Sequence, residues 1–181
     1  MVDKMRLLRA LVFTLFALPY AVAASQTSQT PQTAVLPPVT AYTLDRAKVT
    51  LPASFATPLN LLVLSFQRDQ QSQVDGWLPA ITAPTVQTWW LFVSPRENGL
   101  YRWWLNASLR GSLVASQPRR YTVPLYVNKT QFLKSLQISS EQDVVLLLTD
   151  REGHVLWRAS GAVDESKKAA LSRFVTKSSS H

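Results

Sequence analysis

The chain has 181 residues, of which 46% are hydrophobic and 17% are charged, and its formal net charge is +8 at pH 7. This length and composition are typical of a single folded domain and exclude disorder along the whole chain. The absence of cysteine excludes disulfides, thiolate metal sites, iron–sulfur clusters and thiol redox chemistry.

Residues 1–24 have the pattern of a secretory signal peptide. Three basic residues near the amino terminus precede an apolar run over residues 11–18, and mostly small residues follow it. Cleavage after Ala24 fits this pattern, and an uncleaved membrane anchor is the alternative. We therefore expect an exported protein, periplasmic or extracellular, that is membrane-anchored if this segment is retained.

Loss of residues 1–24 takes the chain from 19 basic and 11 acidic residues to 16 and 10, a net charge of +6. A moderately basic protein outside the cytoplasm is expected to meet an anionic membrane surface or an acidic protein face rather than nucleic acid. Residues 25–40 are uncharged and rich in Ser, Gln, Thr and Pro, which predicts a disordered tether. The folded domain is then expected over residues 41–177, with a disordered tail over residues 178–181.

Two strong strands and a helix open the predicted domain. Leu59–Phe66 is an almost continuous apolar run, which is typical of a central strand buried on both faces. Apolar residues at helical spacing predict a helix over Gln70–Ile81, and Thr85–Val93 has the pattern of a second strand. Because successive strand side chains point to opposite faces, Trp89 and Trp90 can both be buried only if both sheet faces are covered.

The second half of the domain ends in a hairpin and a helix. Since proline cannot donate to a ladder, Pro124 predicts that the strand Tyr121–Val127 lies at an edge or bends. Asp164 is the expected N-cap of the last helix. The inward-facing residues of that helix are expected to be Leu171, Phe174 and Val175. The other predicted elements are helices over 97–109 and 130–136 and a hairpin of Val144–Leu148 and His154–Ala159.

This order of strands and helices predicts an α/β fold. Parallel units come first and an antiparallel hairpin with a terminal helix comes last, so we expect a mixed sheet of four or five strands. Helices should cover both faces of the sheet and form a three-layer sandwich.

Three stretches of the sequence carry a resemblance to a known superfamily. They are Phe66 with Val74-x-x-Trp77-Leu-Pro79, the aromatic and arginine-rich Tyr101–Arg110, and the strand-turn-strand Val144–Trp157. The pattern resembles the thioredoxin-like superfamily, especially its peroxiredoxin-like branch, and implies a thioredoxin-like α/β/α sandwich. The chain is most similar to the mitochondrial ATP synthase assembly factor family, which implies a role in assembling a membrane complex.

The resemblance places a redox centre just after Phe66, where the sequence reads Gln67–Gln73. No residue there offers a sulfur nucleophile. Ser72 is the only hydroxyl, and we interpret it as a helix cap because no histidine lies near it in sequence. The alternative function is a hydrolase or transferase that uses Arg68, Asp69 and Ser72.

The candidate partner-binding residues are Trp103, Trp104, Arg110, Arg119 and Arg120. Neighbouring helical residues diverge by about 100°, so one tryptophan of the first pair can reach the surface beside an arginine. The two later arginines can meet a carboxylate face or acidic headgroups. Core filling by the tryptophans and simple solvation of the arginines are the alternatives.

The remaining polar residues form no pattern that requires catalysis or a metal. His154 has no second ligand at metal-site spacing, and Asp150 and Glu152 lie in a hairpin turn that offers no cleft. We therefore predict a non-catalytic protein that binds another protein, with a membrane complex as a possible partner and no cofactor or nucleic acid. A peripheral membrane-surface module driven by basic charge is the third hypothesis.

Overall fold

The structure, a computed structural model, describes residues 34–80, 83–95, 107 and 119–178, which belong to one compact unit. The strands are β1 (Val39–Tyr42), β2 (Lys48–Leu51), β3 (Leu59–Ser65), β4 (Val86–Pro95), β5 (Thr122–Val127), β6 (Val145–Thr149) and β7 (Val155–Ser160). The helices are α1 (Gln71–Trp77), α2 (Lys129–Ser135) and α3 (Glu165–Ser178). Short 3-10 turns, Arg68–Gln70 and Arg119–Tyr121, precede α1 and β5.

Five strands form one mixed sheet in the order β5-β4-β3-β6-β7. β3 pairs in parallel with β4, and β4 in parallel with β5, whereas β6 and β7 are antiparallel to their neighbours. Every residue of β3 is buried, which confirms the predicted central strand. β5 lies at an edge of the sheet, as its Pro124 predicts.

Alternating side chains divide the core into two halves, one on each face of the sheet. Leu62 and Trp89 pack on the face covered by α2 and by the separate β1–β2 hairpin. Val63 and Trp90 pack on the other face, against α1 and α3. Both tryptophans are buried, so the predicted cover on both faces is confirmed. This is the mixed three-layer α/β arrangement expected from the sequence.

Residues 34–40 correct the predicted boundary of the domain. Leu36 is 1% exposed and belongs to the core, and its N–H donates to the carbonyl of Gly153 at 2.8 Å. The structure then forms β1 and β2, for which the sequence predicted no strand. The composition of this short uncharged stretch favours a disordered tether. The stretch is ordered because the turn at Gly153, which is distant in sequence, packs against it. Residues 1–33, which include the predicted signal peptide, lie outside the described residues.

The helices differ from the predictions mainly at their ends and in one side chain. α1 stops at Trp77 rather than at residue 81, since Pro79 lacks the N–H that a further turn requires. Asp164 caps α3 as predicted, and Leu171 and Val175 are buried. Phe174 is 36% exposed, so its predicted inward orientation is wrong.

Two other predicted segments fall outside the part of the chain that the structure describes. They are the helix over 97–109, apart from Ala107, and residues 179–181 of the predicted tail. Ser178 belongs to α3, so the predicted start of the tail at residue 178 is wrong. Among the described residues, none of the helices has the length and apolar character needed to cross a membrane.

Candidate functional site

The carboxyl end of β3 leads through Phe66 and the turn Arg68–Gln70 into α1. At this strand-to-helix junction the resemblance places a redox centre, and the sequence has no cysteine there. The oxygen Oε1 of Gln70 accepts the backbone N–H of Phe66 at 2.8 Å and that of Gln67 at 3.3 Å. Ser72 is exposed and lies inside α1. Its predicted role as the helix cap is therefore wrong, and the residue at the N-cap position is Gln70.

Three glutamines tie this junction to the segment just before β6. Gln70 is 2% exposed, and its Nε2 donates to the carbonyl of Glu141 at 2.7 Å. The Nε2 of Gln67 donates to the same carbonyl at 3.2 Å. Gln73 donates to the Asp143 carboxylate and accepts the N–H of Val144, both at 3.2 Å. We call Gln67, Gln70 and Gln73 the glutamine clamp.

Lys129 closes the same end of the sheet from the α2 side. Its ammonium forms an ion pair with the Glu141 carboxylate and lies 5.8 Å from the centroid of the Phe66 ring. The side chain of Lys129 is 19% exposed and that of Glu141 is 37% exposed. The junction therefore presents amide groups and a partly covered ion pair, and it offers no nucleophile for thiol chemistry.

The residues of the predicted hydrolase alternative are not arranged for catalysis. Arg68, Asp69 and Ser72 are all exposed near the junction. Within the described ranges, no hydrogen bond joins the Ser72 hydroxyl to Asp69 or to His154. A serine nucleophile needs a base within hydrogen-bond reach, so the geometry does not favour this alternative.

Arg119 and Arg120 lie beside the β5 edge of the sheet. They directly precede β5, whose first residue Thr122 is level with Trp90 of β4 and, through Trp90, with Val63 of β3. Both arginines are exposed, and the guanidinium of Arg120 lies 4.8 Å from the centroid of the Tyr121 ring. Tyr121 packs edge-on against buried Trp89 at 5.1 Å between centroids. The predicted partners Trp103, Trp104 and Arg110 lie outside the described residues.

The turn between β1 and β2 adds residues that the sequence did not single out. The N–H of Leu44 donates to the carbonyl of Thr122 at 3.0 Å, which places this turn beside the start of β5. Tyr42 lies opposite Lys48 in the β1–β2 register, and Arg46 lies between them in the turn. The sequence feature that could have indicated these residues is the cluster of charges that follows a long uncharged segment. We call Tyr42, Arg46, Lys48, Arg119 and Arg120 the basic surface.

The β6–β7 turn brings together three side chains that we did not expect to form one cluster. One ligand atom each from Asp150, Glu152 and His154 lies within 4.8 Å of the others. The expectation that His154 has no second ligand at metal-site spacing is therefore wrong, because the turn reverses the chain and brings both carboxylates near the imidazole. The Asp150 carboxylate accepts the N–H of His154 and contacts its ring Nδ1, both at 2.8 Å. This pairing stabilises the exposed turn, and we assign no ion to it.

Solved structures match this fold, although no protein-family model and no curated protein matches the chain. The protein BsSco, a member of the Sco family of cytochrome c oxidase assembly proteins, has a TM-score of 0.58 and 13% identity. The match covers 82% of this chain and 96% of BsSco. The thioredoxin domain of a thiol-disulfide oxidoreductase from Bacteroides vulgatus has a TM-score of 0.53 and 17% identity, with 79% and 96% covered.

The fold is thioredoxin-like. A putative thiol:disulfide interchange protein DsbE from Chlorobium tepidum is also similar, with a TM-score of 0.50 and 15% identity, and 79% and 94% of the two chains are covered. At these identities the matches establish the thioredoxin-like architecture alone. They support neither the peroxiredoxin-like branch nor the ATP synthase assembly factor family that the sequence resembles.

Proposed function

We propose that this chain is an exported, redox-inactive thioredoxin-like protein that binds another protein and catalyses no reaction. The observation that carries the proposal is the strand-to-helix junction after β3. A thiol oxidoreductase needs a thiolate there, and this chain has no cysteine. The glutamine clamp fills the junction instead.

The hydrogen bonds of the glutamine clamp support a structural role for this end of the sheet. Gln70 satisfies two backbone N–H groups and one carbonyl from a nearly inaccessible position. A substrate that entered here would have to separate these groups, and buried polar groups without partners are costly. Binding capacity is therefore expected elsewhere on the molecule.

An assembly role is the form of protein binding that we propose. BsSco is described as a member of a family of cytochrome c oxidase assembly proteins, which shows that this architecture can serve assembly. The resemblance of the sequence to ATP synthase assembly factors makes a membrane complex the first class of partner to test. Export rests on the signal-peptide pattern of residues 1–24.

Crosslinking in the source organism tests the proposal. The full-length chain carries a carboxyl-terminal tag, and crosslinked products are purified in the presence and absence of excess untagged chain. We expect one protein species whose recovery falls when untagged chain competes. Recovery of no competable species would contradict the proposal.

A substrate screen tests the claim that the chain catalyses no reaction. The purified chain is incubated with ester, phosphoester and peptide substrates, together with the variants Asp69→Ala and Asp75→Ala. We expect the same background rate for all three proteins. Turnover that disappears in Asp69→Ala and persists in Asp75→Ala would establish the hydrolase alternative.

A further inference from the structure

The basic surface gathers four cations from two separate segments of the chain. Arg46 and Lys48 come from the end of the β1–β2 turn, and Arg119 and Arg120 come from the turn before β5. The hydrogen bond from the Leu44 N–H to the Thr122 carbonyl joins the two segments. All four cationic side chains are exposed, so their charges face solvent beside the β5 edge of the sheet.

The backbone under these cations is fixed by local contacts. Arg46 adopts a positive φ of 74°, and its N–H donates to the carbonyl of Thr43 at 3.0 Å. The hydroxyl of Thr43 accepts the N–H of Ala47 at 3.1 Å. Arg120 stacks on Tyr121, which packs on buried Trp89. A surface that is ordered before binding loses less conformational entropy when a partner docks.

Three cations of the basic surface have no ion partner in the part of the chain that the structure describes. The ion pairs there involve Lys129, His154, Lys167 and Lys168, and none involves Arg46, Lys48 or Arg120. The one carboxylate in the β1–β2 turn, Asp45, accepts the Thr43 hydroxyl. These three cations and Asp45 together have a net charge of +2, which attracts an anionic partner.

We propose that the basic surface is the docking site for an acidic segment of the partner protein. This inference rests on the proposed function and names the chemistry of the partner. Guanidinium groups bind carboxylates in paired hydrogen bonds. Tyr42 is 60% exposed beside them and adds contact area, and tyrosine and arginine are the residue types that most often dominate binding energy.

A membrane surface fits the same residues less well. Among the described residues, the exposed large hydrophobic side chains are Val35, Tyr42 and Phe174, and of these Tyr42 alone belongs to the basic surface, so the described part of this surface offers little apolar area to enter a bilayer. Recognition of anionic lipids typically uses about four to eight clustered cations, and this surface lies at the lower limit of that range. A carboxylate-rich peptide can instead contact the arginines and the tyrosine ring together.

A charge-reversal pair tests the site in vitro. The probe is a fluorescein-labelled polyglutamate peptide of roughly ten residues, a length that spans about 30 Å when extended, and binding is measured by fluorescence anisotropy. The test variant is Arg119→Glu/Arg120→Glu, and the control is Lys134→Glu/Lys177→Glu, which changes the net charge equally. Both control lysines are exposed and lie on α2 and α3.

We expect the test variant to weaken peptide binding about tenfold and the control variant less than about threefold, because close opposite charges dominate the attraction. Affinity should also fall as salt increases. Equal weakening by both variants would overturn the proposal, since the peptide would then sense only net charge. Arg46→Gln/Lys48→Gln, on the other segment, must weaken binding as well, and unchanged binding by this variant would also contradict the site.

Two further measurements separate this inference from the proposed function. Vesicles containing phosphatidylglycerol are tested with the same variants, and binding that exceeds peptide binding and is lost in the test variant would assign the surface to membranes. The crosslinking experiment is repeated with both charge-reversal variants. Loss of the partner in the test variant alone supports the docking site. Equal recovery of the partner by both variants overturns the docking site and leaves the proposed function standing.

Discussion

Two regions of the molecule use their polar residues in opposite ways. At the carboxyl end of β3, the glutamine clamp directs its amides at neighbouring backbone groups and leaves little capacity for a ligand. Beside the start of β5, the basic surface holds Arg46, Lys48 and Arg120 without ion partners among the described residues. The comparison teaches that the region suited to thiol chemistry in this architecture is closed here, and the partner-binding site that we propose lies on the basic surface instead.

The physical difference between the two regions is hydration. Gln70 is almost fully buried, so its hydrogen bonds to backbone groups take the place of hydrogen bonds to water. The cations of the basic surface remain hydrated and contribute little to folding, since exposed charges are screened. Substitutions should therefore affect stability at the glutamine clamp and binding at the basic surface.

The largest loss of stability is expected for Gln70→Ala. The substitution leaves the N–H of Phe66 without its partner and removes the shorter of the two hydrogen bonds to the Glu141 carbonyl, and we expect the free energy of unfolding to fall by about 2–4 kcal/mol. Urea denaturation measures this change. The matched control is Gln71→Ala, which removes only a helical contact with Asp75 and should cost about 0.2–0.5 kcal/mol. Equal losses for both variants would show that the glutamine clamp does not stabilise the junction.

A smaller loss is expected for Gly153→Ala in the β6–β7 turn. Gly153 has a φ of 89°, and an added Cβ would lie 3.1 Å from side-chain atoms of both Leu36 and Pro52. We expect the free energy of unfolding to fall by about 1–3 kcal/mol, because a residue with a Cβ is strained at this φ. The control is Glu152→Ala in the same turn, and thermal unfolding of both variants gives the comparison. Similar melting temperatures would indicate that the turn tolerates the extra atom.

Arg120→Ala should have a still smaller effect on stability. It removes the contact with Tyr121, which at an exposed site contributes about 0.5–1 kcal/mol. The free energy of unfolding, measured in urea, should therefore change less than for Gln70→Ala or Gly153→Ala. Polyglutamate binding should weaken. A stability loss larger than that of Gln70→Ala would reverse the roles assigned to the glutamine clamp and the basic surface.

The smallest effect is a pH dependence at the cap of α3, which lies near the glutamine clamp. The N–H of Lys167 and the hydroxyl of Ser166 lower the pKa of Asp164 from 3.8 to about 2. Because the folded pKa is the lower one, the charged cap stabilises the protein above pH 4 and this contribution disappears as the pH falls through 2. Asp164→Asn should be less stable than the parent at pH 5 and should approach it near pH 2 in urea titrations. A constant difference across this range would contradict the cap effect.

The sequence by itself determined the elements whose pattern is local. The central position of β3, the edge position of β5 and the Asp164 cap each follow from a pattern of neighbouring residues. Side-chain alternation also required cover on both faces of Trp89 and Trp90. The absence of cysteine settled which chemistry the redox position cannot perform.

Only the tertiary structure decided which distant residues meet. Gln70 and the Glu141 carbonyl are 71 positions apart, and no local period indicates that they pair. Leu36 is buried against a turn that is distant in sequence, and the β1–β2 turn lies beside the start of β5 because Leu44 binds Thr122. Local patterns report spacing along the chain. The closure of the junction after β3 and the charge beside β5 depend on contacts between distant segments, which exist only after the chain has folded.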